Sequence, residues 1–313
     1  MTIHQKVGPL PVDTPQAIDA VAVRHPGRWV AVGVIAVLTA MLLHLAVTSS
    51  ILRWDVVGQI FGFHTVISGL GRTMGLTVLA MVIGLVGGVL LAVMRLSRNP
   101  VLSQVAWIYI WVFRGTPVLV QLYVWNFLGA LVPTVGLGIP FGPTFVSWHY
   151  NDLVGLFTAA TLALGLNEAA YMAEIVRAGI ASVDEGQSEA AHSLGLTQPQ
   201  TLWRVVLPQA MRVIIPPAGN ETISMLKTTS LVSAIALEDL TRAGQDIASR
   251  TFYEIPALIA VSLWYLLLTS ILSVGQYYVE RHYARGANRT LPNTPWQNVR
   301  KNLFVLRRAG GAA

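Results

Sequence analysis

Cysteine is absent from the chain, which rules out a disulfide framework and a thiolate metal site and leaves the redox compartment unread. Charge is scarce: 12% of the residues are Asp, Glu, Lys or Arg, about half the share of an ordinary soluble domain. In their place stand 54% hydrophobic residues and a mean hydropathy of +0.58. Such a chain belongs in a bilayer. Lysine is confined to Lys6, Lys227 and Lys301, and none of them closes a glycine-rich loop of the kind whose backbone N–H groups cradle nucleotide phosphates. Lys227 precedes Thr228 but has Glu221 where the first glycine of that loop belongs. A His-Glu-x-x-His pair and a Gly-x-Ser-x-Gly elbow are also missing, so no hydrolytic constellation supports an enzyme. The glycines from Gly136 to Gly142 have the wrong spacing for a dinucleotide fingerprint. The net charge of +6 is spread between apolar runs rather than gathered into a stripe, which argues against nucleic acid as a partner.

What is present is a series of apolar runs, and a helix crossing the hydrocarbon core needs about 20 such residues. Met74 to Met94 is uncharged between Arg72 and Arg95, and Ile255 to Val279 between Glu254 and Glu280. Trp29 to about Ile51 is interrupted only by His44, which reads as a neutral histidine satisfied by its own helix. Three further runs carry polar breaks. Pro117 to Val132 follows Arg114; Leu153 to Ile180 holds Asn167, Glu168 and Glu174; Met211 to Ile235 holds Pro216, Pro217, Glu221 and Lys227. A charge facing lipid costs about 2.5–3.5 kcal/mol at a helix centre, so these breaks are expected to face protein or water. The reading is an all-α membrane protein of about six spans.

Cation placement sets the orientation, because cytoplasmic loops hold the excess of Lys and Arg. With the N-terminus inside, only Arg53, Arg72, Lys227, Arg242 and Arg250 fall on the outer side, leaving 16 of the 21 inside. Both termini are therefore expected in the cytoplasm. Residues 1–28 read as a cytoplasmic extension, 29–51 as an uncleaved additional helix too long for a signal-peptide core, and 286–313 as a basic cytoplasmic tail.

Between the fourth and fifth spans, residues 182–210 are polar. Ser182 with Glu185 suggests one capping box and Thr197 with Gln200 another; Gly195 sits where a left-handed residue would end the first helix, and Pro199 falls in the first turn of the second. Leu202, Val205 and Val206 then share a helix face. Two short helices around a glycine turn make a rigid cytoplasmic projection suited to a groove on another protein.

This segment resembles the EAA signature of bacterial ABC importer permeases, in which Glu-Ala-Ala is followed by Gly and then by Ile-x-Leu-Pro. It matches at Glu189, Ala190, Ala191, Gly195, Leu207 and Pro208, with Val205 where isoleucine is usual. The blocks Phe113 to Pro117 with Val120 and Gln121, Ala170 to Gly179, and Gly219, Asn220 and Leu226 to Leu231 resemble the polar amino-acid branch of that family, the histidine and glutamine type. The likeness covers about residues 66–285. It implies a five-helix transmembrane domain, here with one helix added at the N-terminus, whose 182–210 segment docks on an ATP-binding subunit dimer. It further implies a second permease as homodimer or heterodimer partner, an extracytoplasmic substrate-binding protein, ATP and Mg on the partner subunit with no cofactor in this chain, and residence in the bacterial cytoplasmic membrane.

Polar groups inside spans then mark the expected substrate route. Asn167, Tyr171 and Glu174 recur along one helix face, with Glu168 one residue round, and Asn220, Ser224 and Thr228 recur along another. Glu168 and Glu221 are candidate acceptors for an ammonium; Lys227, Asn220 and Ser224 are candidate donors to a carboxylate. Glu174 is more simply a structural partner of Arg177, and Arg114 an interfacial or interhelical anchor. An ion-driven secondary amino-acid transporter using Glu168 and Glu221 is the alternative, as is a permease for a related small polar solute. The alternative lacks the two matching halves usual in such folds.

Overall fold

A computed structural model describes residues 26–139 and 142–283 of the protein. The expected tail 286–313 and most of the expected extension 1–28 lie outside the described residues. The chain divides into two units between Ser50 and Ile51. The first contains α1 (Pro26–Thr48), whose apolar side chains point outward all round, the surface of a helix made for lipid. His44 is met inside this helix: Thr48 Oγ1 donates to its carbonyl at 2.7 Å and lies 3.3 Å from its Nδ1.

The second unit is a helical bundle with one small hairpin. It opens with the short amphipathic α2 (Trp54–Phe61), which buries Val56, Val57 and Ile60. The long α3 (His64–Arg95) follows, its 32 residues reaching about 48 Å at 1.5 Å per residue. Then come α4 (Pro100–Gly115) and α5 (Val118–Leu131), and a hairpin of β1 (Thr134–Gly138) against β2 (Thr144–His149) in antiparallel register, Thr134 opposite His149. After the turn α6 (Tyr150–Leu153) comes α7 (Leu156–Ala181), the central helix. The short helices α8 (Glu185–Ser193) and α9 (Gln198–Thr201) lead into α10 (Leu207–Thr228), followed by a 3-10 turn at Thr229–Ile235, α11 (Leu240–Thr251) and α12 (Glu254–Tyr283).

The core is built on α3 against α7. Leu76, Ala80, Gly84, Gly88 and Ala92 recur every fourth residue on α3 and are buried, so the two backbones approach over a stripe of mostly small side chains, the usual solution where lipid offers no hydrophobic drive for association. One end of the bundle is closed by Val66 of α3 with α2, α11 and α12, where Phe61 stacks on Trp264 at 4.3 Å and Trp264 Nε1 donates to the Phe61 carbonyl. Its middle is filled by Leu76, Leu122, Leu164 and Met225, and its other end by Ala92, Val176, Ala210 and Ile214.

Among the described residues three single helices, α1, α3 and α12, are long and apolar enough to cross a membrane, and α4 and α5 qualify only together, bent by 105° at their break. The expected fourth and fifth spans, α7 and α10, reach about 39 and 33 Å but are too polar on average to qualify as spans by composition. Their polar positions fit the expected reason: half of α7 is buried, Asn167 and Glu168 included.

Two segments between expected spans add to the sequence reading. Residues 95–116, left between two expected spans, are mostly filled by α4. The chain then breaks at Thr116, held extended at φ −112°, ψ 141°, because the ring of Pro117 disfavours a helical residue before it. The segment between the expected spans ending at Val132 and starting at Leu153 contains the β1–β2 hairpin, a small exception to the all-helical reading.

The absence of cysteine makes the orientation directly testable. With the termini inside, Ser147→Cys on exposed β2 should react with a membrane-impermeant maleimide in intact cells, and Gln198→Cys on exposed α9 only after permeabilisation. The reverse pattern would turn the molecule over.

Candidate functional site

Two places gather the sequence's unusual residues: the projection formed by residues 182–210 and a polar layer between α7, α10 and the α4–α5 break.

The projection is capped at each end by its own side chains. Asp184, rather than Ser182, starts α8: its Oδ1 accepts from the Gly186 N–H at 2.8 Å, while Ser182 Oγ turns back to donate to the Gly179 carbonyl. The expected Ser182–Glu185 box is therefore replaced by an aspartate cap two residues later. At the other end Gly195 takes φ +80°, the Gly195 N–H donates to the His192 carbonyl and the Leu196 N–H to that of Ala191. That pair of bonds is a Schellman stop, and it needs a residue without a Cβ at Gly195. Gln200 Oε1 accepts from the Thr197 N–H at 2.9 Å, so the second capping box forms with Pro199 in the first turn.

A feature not read from the sequence is a π turn at Leu202–Val206, where the Leu207 N–H reaches the Leu202 carbonyl five residues back. Pro208 explains it. Proline offers no N–H to the carbonyl four residues before it, and widening the preceding turn accommodates its ring without breaking the helix. Val206 and Ala210 then pin the elbow to the bundle, while Leu194 is left 84% and Trp203 69% exposed. Glu189, Ala190, Gly195 and Pro208 are exposed and Ala191 is buried. An open cavity of about 620 Å³ lies beneath, lined among others by Arg98, Glu185, Glu189 and His192.

The polar layer begins at the α4–α5 break. Gln121 Nε2 donates to the Phe113 carbonyl at 2.9 Å and to Thr116 Oγ1 at 2.7 Å, and Asn167 Nδ2 donates to the Phe113 carbonyl at 2.9 Å and to Gln121 Oε1 at 3.2 Å. The side-chain amide of Asn167 is thus committed to holding the bend against α7. Glu168, next on α7, is 3% exposed, and its Oε1 has no hydrogen-bond partner. Its stem fills the space beside Gly84, where an added Cβ would stand 2.4 Å from Glu168 Cγ. The charge of Glu221 on α10 is close enough to act on that of Glu168, and Arg114 acts on Glu221.

The other expected route residues are dispersed. Asn220, Ser224 and Lys227 are exposed along α10, Thr228 Oγ1 donates to the Ser224 carbonyl, and Lys227 makes no ion pair among the described residues. Tyr171 lies under the Arg114 guanidinium, 5.2 Å from its ring centre. Arg114, expected as an interfacial or interhelical anchor, reaches from the end of α4 over this ring of α7. Glu174 pairs with Arg177 at 2.7 Å, as the structural reading expected.

At the opposite end of α3, Arg72 donates to the Glu238 carboxylate, and that bond holds the carboxyl below the ordinary glutamate value. The pair borders a pocket of about 300 Å³ with His64, Ser68, Asp246 and Arg250.

A family model described as "Binding-protein-dependent transport system inner membrane component" matches residues 84–285. Among curated proteins, the arginine transport system permease protein ArgU of Corynebacterium glutamicum is 48% identical over 279 residues, spanning 88% of this chain and 86% of that protein. The glutamine transport system permease protein GlnP of Escherichia coli is 36% identical over 208 residues, 66% of this chain and 87% of its own. Among solved structures, a chain of an amino acid ABC transporter with histidines aligns at a TM-score of 0.61 and 38% identity, covering 75% of this chain and 99% of that one. A chain of the MetNI methionine ABC transporter, at 21% identity and a TM-score of 0.54 over 76% and 100%, shares the fold.

Proposed function

The chain belongs to the family of binding-protein-dependent transport system inner membrane components, and from that premise we propose that it is the permease subunit of an ATP-driven importer for a basic amino acid in the bacterial cytoplasmic membrane. In this reading it has six spans with both termini inside, pairs with a second permease, receives substrate from an external binding protein and has no ATPase site of its own. Hydrolysis takes place on a separate ATP-binding subunit dimer, and the motion enters through Glu189 to Pro208.

The observation that carries the substrate class is Glu168: a carboxyl group nine-tenths buried at mid-bundle, with one oxygen unpartnered and a second carboxyl, Glu221, acting on it. Two acidic groups together in a bundle are costly unless a cation joins them. A guanidinium or ε-ammonium from the substrate supplies it, and the 48% identical relative carries arginine in its name. Exposed Asn220, Ser224 and Lys227 on α10 offer donors for the α-carboxylate, and Tyr171 offers an aromatic face along the exit.

The test is ATP hydrolysis by the reconstituted complex with its binding protein, scanned across arginine, lysine, glutamine and glutamate. Arginine or lysine is expected to stimulate it and glutamate to leave it at the basal rate. Stimulation by glutamate alone would overturn the charge argument, and uptake by this chain with no ATP-binding subunit present would establish the ion-driven alternative.

A further inference from the structure

The β1–β2 hairpin carries an apolar face that the described residues leave exposed. Its register sets Val135 opposite Trp148 and Leu137 opposite Val146, so these four side chains share one face, while Thr134 with His149 and Gly136 with Ser147 share the other. Every residue of both strands is exposed. A two-stranded hairpin alone in water is marginal at best, so this face needs cover. Three observations name the cover. First, the base is clipped to the end of a span: the Tyr150 N–H donates to the Pro133 carbonyl at 2.9 Å, the buried Tyr150 hydroxyl donates to the Trp125 carbonyl of α5 at 3.0 Å, and α5 is the second arm of the bent spanning pair. The hairpin therefore starts where a helix leaves the hydrocarbon. Second, Val120, Val124, Phe127 and Leu131 form an exposed apolar stripe at helical spacing on α5 that runs up to this base. Third, no Asp, Glu, Lys or Arg occurs from Gly115 to Asn151, through the whole of α5 and both strands. A face that docks a soluble protein carries a polar, solvated rim, and a free surface loop carries charge. Lipid asks for neither.

We propose that the β1–β2 hairpin is a membrane-surface paddle, which lies with Val135, Leu137, Val146 and Trp148 against the lipid and with Thr134, Ser147 and His149 toward water. With the termini inside, the leaflet is the outer one. The depth follows from the backbone. The free strand edges present N–H and C=O groups that hydrocarbon cannot satisfy, so the hairpin stays at the headgroup boundary, the level that tryptophan favours. Resting there, it fixes the connection between α5 and α7 at the bilayer surface. The inference needs membrane residence only and is independent of which solute is carried.

The cysteine-free chain lets a single thiol be placed on either face. The complex of permeases with ATP-binding subunits, without the binding protein, is reconstituted in nanodiscs of phosphatidylethanolamine and phosphatidylglycerol. Val146→Cys is expected to react with a membrane-impermeant maleimide at least about tenfold more slowly than Ser147→Cys, because apolar surroundings raise the thiol and suppress the reactive thiolate. A nitrobenzoxadiazole label on Val146→Cys should lose its fluorescence when nitroxide-labelled phosphatidylcholine is included, and the same label on Ser147→Cys should lose much less. Leu137→Cys, on the same face of the other strand, should follow Val146→Cys. Equal reactivity or equal quenching on the two faces overturns the proposal and leaves the hairpin in water. Protection of Val146→Cys and Leu137→Cys without quenching by the labelled lipid assigns the face to protein, a second permease included, and overturns it as well.

Discussion

A complex carrying Glu168→Gln is expected to assemble and insert at wild-type levels and to lose at least about tenfold in uptake. The substitution is nearly isosteric, so the packing of the side-chain stem against Gly84 is kept and the α3–α7 seam is not opened. What disappears is the negative charge. A hydrogen bond to a charged group is worth about 1.5–3 kcal/mol, which is roughly 10- to 150-fold in a rate or affinity that depends on it. Among the described residues Oε1 has no hydrogen-bond partner and Glu168 makes no ion pair, so no such pair is lost to explain a folding defect. The readouts separate the roles. Uptake falling while co-purification of the ATP-binding subunit and melting temperature stay constant places Glu168 on the route; uptake within twofold of wild type takes it off.

The sequence made the long elements legible because membrane solvation writes them plainly: the charge-bounded runs inside α3 and α12 lie within the observed helices. Local capping was legible where one residue type alone satisfies the geometry, as at Gly195 with its φ of +80° and at the Thr197–Gln200 box. It failed at Ser182, because Asp184 caps two residues later and an aspartate, a serine and a glutamate in four positions offer more than one register. The larger omission was α4. Arg98 precedes it and Arg114 sits in its last turn, so charge bounds it as it would a loop, and its meaning comes from Asn167, which bonds to Phe113 and Gln121 across 54 and 46 residues of sequence. Bonds of that range leave no periodic trace. The same holds for Glu168 and Glu221: each was visible as a polar break in an apolar run, but their mutual proximity is a property of how α7 packs on α10.

The other large effect is expected at the tip of the projection, where Leu194→Asp and Leu194→Lys should each reduce recovery of the ATP-binding subunit with the permease by more than about tenfold. Leu194 is 84% exposed although it ends a helix, and the Schellman stop is closed by the backbone N–H groups of Gly195 and Leu196 rather than by its side chain. The side chain therefore contributes little to the fold of the projection, and an exposed leucine beside exposed Trp203 is a surface built to be covered. Burying it in a partner's groove is worth about 1.5–3 kcal/mol, and a charge forced into that groove adds a desolvation cost. The two substitutions are chosen because they act oppositely on the helix itself. A cation at a helix C-terminus is favoured by the backbone dipole and an anion disfavoured, each by about 0.3–1 kcal/mol. Equal losses of binding and of ligand-stimulated ATP hydrolysis mean that the missing apolar contact matters. Loss with aspartate alone would trace the defect to fraying of α8, and retained binding with both would detach the coupling role from this tip.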